Sequence, residues 1–113
     1  MEEPSPRLLA SLVRAVAILA LPAPDQLCWL ESLGDAPSVD ELALSLDVRL
    51  APQFVAVNWL PAAVLEPLLT LNALLDSMSG SQNEHLWNVA AVESAPRWSE
   101  VRAQAKAVLH LIN

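Results

Sequence analysis

Along most of this chain apolar residues recur at the three-and-four spacing of a helix, and no stretch shows the two-residue alternation of a half-buried strand. Leu8, Leu9, Leu12, Val13, Val16, Leu19 and Ala20 fall on one arc, with Arg7, Ser11 and Arg14 opposite. That pattern predicts an amphipathic helix over about 7–21, ended by Pro22 and Pro24. Leu27, Leu30 and Leu33 predict a short second helix over about 24–33, with their side chains inward and Gly34 at C′. Ser38 followed by Glu41 is a capping-box pattern and opens a third helix over about 39–46.

Prolines punctuate the second half. Pro52 belongs in the first turn of a fourth helix over about 51–59, and Pro61 in that of a fifth running to Ser79. Pro67 would break the hydrogen-bond ladder of a helix begun at Pro61, so a kink or a restart is expected there. Residues 80–83 (Gly-Ser-Gln-Asn) read as a loop and 84–92 as a short helix or two turns. The last helix, about 96–112, has the cleanest period: Trp98, Val101, Ala105, Val108, Leu109 and Ile112 share an arc of roughly 100°. The expectation is an all-α, compact single-domain bundle of about six short-to-medium helices. It occupies residues 7–113 behind a frayed 1–6.

Length and composition support this without adding to it. A chain of 113 residues has room for one domain. Leu and Ala dominate, Ile and Thr are few, and no internal repeat is visible. One Lys among six bases, beside abundant Ala, Leu, Pro and Arg, suggests a GC-rich, bacterial coding sequence. Residues 8–21 are too short to cross a bilayer and contain Arg14, and Glu2 and Glu3 stand where a signal peptide would be basic. A single cysteine, Cys28, excludes an intrachain disulfide and fits a cytoplasmic setting.

Charge changes the picture more. The net charge is −7, the wrong sign for nucleic acid or an anionic membrane surface and the right one for a basic protein partner. The segment 39–60 resembles a helix-turn-helix, with 39–43 as supporting helix, 47–50 as turn and 51–60 as recognition helix. A recognition helix must offer donors and positive charge to the duplex, and 51–60 contains neither Lys nor Arg. The segment therefore reads as two packed helices of the bundle.

Catalytic material is sparse. Two glycines cannot build a phosphate loop. His85 and His110 have no Cys or carboxylate at metal-site spacing beyond the adjoining Glu84, which diverges from His85 on a helix. Cys28 has no base beside it on the helical projection. The expectation is a non-enzyme with no cofactor and no metal. Its four Trp are the core's large pieces, Trp29 being the one placed at an edge.

What remains is an acidic segment. Asp25, Glu31, Asp35, Asp40, Glu41 and Asp47 follow one another with no intervening base. In the 39–46 helix Val39, Leu42, Ala43 and Leu46 turn inward, and Leu44 projects among Asp40, Glu41 and Asp47. An apolar side chain rimmed by carboxylates can anchor a basic partner, the Leu excluding water and the acids steering. The competing reading buries Leu44 against another helix. Asp35, Asp40, Glu41, Leu44 and Asp47 are thus the candidate partner-binding residues. Arg102, Lys106 and His110 form a basic stripe on the last helix, expected to pair internally with the acids of 35–47. The expected function is non-catalytic protein–protein binding, most concretely by an immunity or inhibitor protein masking a basic toxin or enzyme. A self-associating helical module, a homodimer, is the alternative.

Overall fold

A computed structural model of the chain describes residues 3–34 and 38–112. Among these residues there are seven α-helices: α1 Pro6–Ala20, α2 Ala23–Glu31, α3 Glu41–Leu44, α4 Ala51–Ala56, α5 Leu65–Ser77, α6 Val89–Ser94 and α7 Pro96–Ile112. Two 3₁₀ turns, Ala62–Val64 and Ser81–Leu86, precede α5 and α6. The all-α class expected from periodicity is the fold observed, with one helix more than about six. A radius of gyration of 14.2 Å is close to the ~13 Å of a compact chain this long.

The core is organised on α7. Trp98, Val101, Ala105 and Val108 are each wholly buried, forming the stripe that the sequence period marks out. α1 packs along one side of α7 with Leu12, Ala15, Val16 and Leu19, and α5 along another with Leu68, Leu71 and Leu75. α3 lies on α1 and α2, and α6 bridges α2 and α7. Burial of this apolar surface, at roughly 25 cal/mol per Å², holds elements too short to be helical alone.

Helix ends differ from the sequence expectation for local reasons. Two residues of the expected frayed segment are ordered into α1: Ser5 accepts a hydrogen bond from Leu8 N at 3.2 Å and Pro6 is the first helical residue. The Ser38–Glu41 box does not form. Ser38 Oγ accepts from Asp40 N at 3.2 Å, an ST turn, and α3 starts only at Glu41. Residues 39 and 40 thus form a turn, and α3 is four residues long. α2 stops at Glu31, leaving Leu33 exposed and Gly34, at φ 115°, one place beyond C′.

The restart expected near Pro67 occurs at Leu65. Pro67 then stands at the third position of α5, where its missing N–H has no intrahelical partner to lose. Residues 80–83 are largely 3₁₀ rather than loop, because Asn83 Nδ2 donates to Ser77 O and Ser79 O at 3.1 and 2.8 Å. The Ser77 carbonyl is an orphan at the end of α5 and that of Ser79 lies just past its cap, and the turn folds back to satisfy both. The expected 84–92 helix splits between that turn and α6, which Asn88 caps through Ala91 N at 2.9 Å.

α4 ends in a Schellman motif. Asn58 N donates to Val55 O and Trp59 N to Phe54 O, with Asn58 at φ 64° and the Phe54 and Trp59 rings stacked 6.1 Å apart. Trp59, 41% exposed, is therefore the outward tryptophan, and Trp29 is partly buried. Asn58 is in the left-handed region, costly for β-carbon residues other than Asn or Asp. Asn58→Ala should cost about 1 kcal/mol and Asn58→Gly almost nothing, a difference readable in urea midpoints.

Candidate functional site

Leu44 is the most exposed large apolar side chain among the described residues, at 69%. The reading that packs it against another helix is overturned. α3 buries Leu42 and half-buries Ala43 against α1 and α2, and one turn of helix cannot turn Leu44 inward as well. The expected acids are distributed around it unevenly. Asp40 is exposed and Glu41 half-buried. Asp35 lies outside the described residues. Asp47 is exposed but already committed: its carboxylate accepts from Arg49 Nε at 2.9 Å and Nη2 at 2.7 Å, and from Arg49 N at 3.0 Å. Those hydrogen bonds hold its carboxyl below the ordinary aspartate value.

Leu44 stands on a ridge between two hollows. The larger, about 530 Å³, runs from α3 to the C-terminal end of α5 and the second 3₁₀ turn. Its walls include Asp40, Leu44 and Leu46 on one side and Leu75, Asp76, Glu84 and Trp87 on the other. The smaller, about 280 Å³, lies toward α1 and α4 and contains Asp47. Of the expected residues that are described, Asp40 and Leu44 line the larger hollow, and Asp47 and Leu44 the smaller.

The far wall of the larger groove is fixed by side-chain hydrogen bonds. Trp87 Nε1 donates to Met78 O at 2.7 Å and its ring meets Trp98 edge-on, 5.3 Å between centroids. Trp98 in turn donates to Leu86 O at 2.7 Å. Gly80, at φ 97°, makes the bend between α5 and this turn, where a β-carbon would lie 3.0 Å from Gln82 Oε1. Asp76 and Glu84 are functional candidates that the sequence reading missed. Asp76 belongs to an ordinary amphipathic helix and Glu84 to a separate segment after the Gly80 bend, so nothing local announces that they share a groove with Asp40.

The basic stripe of α7 does not reach these acids. Arg102 donates to Gln26 Oε1 and Val92 O, both at 3.0 Å, and α3 packs on α1 and α2 instead of α7. Burial pushes the Arg102 guanidinium below its ordinary value. Lys106 and His110 are exposed, and neither pairs with an acid of 38–47 among the described residues.

Among the described residues no three His, Cys, Asp or Glu side chains converge as metal ligands would, and no hydrogen bond joins a nucleophile to a base. No helix there is long and apolar enough to cross a membrane. No protein-family model, curated protein or solved structure matches this chain.

Proposed function

We propose that this chain is a non-catalytic protein-binding module whose α3 face engages a basic partner protein. The observation that carries the reading is Leu44, 69% exposed at the lip of a groove edged by Asp40. An apolar side chain held outward on a packed turn stands ready to be desolvated by a partner, and carboxylates beside it favour a cationic approach. The net charge of −7 extends that preference over the whole surface. The most concrete form is a bacterial, cytoplasmic immunity or inhibitor protein that masks a basic toxin or enzyme. Small size, acidity and the single exposed Cys28 support it.

Affinity capture from native cells tests the reading. The wild-type chain should retain a basic protein, and D40K/E41K/L44E should retain at least about tenfold less, the loss expected when an interface centre is removed. Equal retention by that variant sinks the reading.

Self-association is a second reading, favoured by other apolar side chains left in water: Leu69 on α5 is 57% exposed and Val89 on α6 is 53% exposed. A mass of twice 12.2 kDa in concentrated solution, reduced by Leu69→Glu, is its expected signature.

A further inference from the structure

We propose that the groove between α3 and the C-terminal end of α5 receives an arginine-bearing protein segment whose neighbouring side chain is large and apolar. This rests on the binding-module reading and specifies its site and its partner's chemistry. The groove volume of about 530 Å³ falls within the range of sites that enclose side chains or small ligands. Among the described residues its charged lining is all of one sign, Asp40, Asp76 and Glu84, with no Lys, Arg or His. None of the three acids forms an ion pair among the described residues. The hollow across the Leu44 ridge differs on this point, since its one carboxylate, Asp47, is already bound by Arg49. A cation is therefore drawn to the α5 side of the ridge.

The spacing of the acids decides what kind of cation fits. They edge the groove without converging as ligands of an ion do, so a bare metal has no shell here. Dispersed carboxylates suit the five donors of a guanidinium, whose plane also packs on aromatic surface such as Trp87. Leu44, Leu46 and Leu75 add an apolar strip that a purely polar cationic chain would leave wet. Recognition therefore needs both properties in adjacent residues of the partner.

The test uses the full chain and three synthetic peptides of about 14 residues: amphipathic Leu/Arg, the same with Glu for Arg, and the same with Ser for Leu. Amide chemical-shift changes on titration report where each binds, and Trp fluorescence reports contact with Trp87. The Leu/Arg peptide should move resonances of 40–46, 72–81 and 84–87, and the other two should bind at least about tenfold more weakly. D76K/E84K, at two exposed positions, should keep the helical circular dichroism and lose binding at least about tenfold. Asp47→Lys should change affinity by less than about threefold at 150 mM salt, because Asp47 lines the other hollow and its exposed carboxylate is already paired with Arg49. Equal binding of the Glu peptide overturns the inference, as do undiminished binding by D76K/E84K, shifts centred elsewhere, or no binding of the Leu/Arg peptide at millimolar concentration. A native partner that D76K/E84K retains and D40K/E41K/L44E loses also overturns the groove assignment, while leaving the binding-module reading intact.

Discussion

Trp98→Ala should lower stability by about 3–5 kcal/mol, the largest single effect expected in this molecule. Trp98 is wholly buried on α7, its indole N–H is spent on Leu86 O, and its ring supports Trp87. Truncation removes the ring's burial, opens a cavity in the core beside Trp87, and leaves a carbonyl of the second 3₁₀ turn without its donor. Domains of this size are stable by only about 5–15 kcal/mol, so the variant approaches the folding threshold. Urea unfolding should show the midpoint falling with little change of slope. Trp98→Phe should recover most of the loss, and the shortfall combines the lost hydrogen bond with the smaller ring. A fall of less than about 1 kcal/mol for Trp98→Ala would mean that the core is not organised on this ring.

Gln26→Leu should cost about 2–4 kcal/mol, although it exchanges a buried polar side chain for an apolar one of similar size. Gln26 is the one polar side chain in the buried set of described residues. Its amide nitrogen donates to Ile18 O and Leu19 O at 3.2 and 3.1 Å, closing carbonyls at the end of α1. Its oxygen accepts from Arg102, which also reaches Val92 O of α6. Gln26 thus joins α2 to α1 and α7, and Arg102 extends the link to α6. Leucine leaves two carbonyls and a partly desolvated guanidinium short of partners, and the penalty for unmade bonds exceeds the gain from burying two methyls. Combining Gln26→Leu with Arg102→Ala should cost less than the two separately by about 1 kcal/mol, because the second change removes a stranded charge. Strict additivity would show that the two side chains do not act together.

Neither effect was fully visible in the sequence. The period of α7 displayed Trp98 as core, and the arc of α1 was equally readable, because one long helix face needs only local spacing to be recognised. Gln26 carried a weaker signal: it shares the inward arc of Ala23, Leu27 and Leu30, where a lone amide implies a buried partner. Its partner Arg102 lies 76 residues away, a separation no window reaches. Capping patterns misled at Ser38 because the side chain had a nearer donor in Asp40. The site was half legible. Periodicity turns Leu44 away from Leu42 and Ala43, but its exposure depends on no other helix covering that side, which local spacing does not decide. The opposing wall of Asp76, Glu84 and Trp87 exists only because Asn83 and Trp87 tie the second 3₁₀ turn back onto α5.

The two sides of the groove are built to different stiffness. Leu75 and Asp76 belong to a helix of 13 residues, whereas Leu44 rides on one of four residues in a stretch where the next helix has only six. Opening free energies follow the number of hydrogen bonds and apolar contacts that must break together. Amide hydrogen exchange should therefore be fastest across 38–60 and slowest in α1, α5 and α7. A guest entering the groove meets one rigid jaw and one compliant jaw, so its shape need be matched by the first alone.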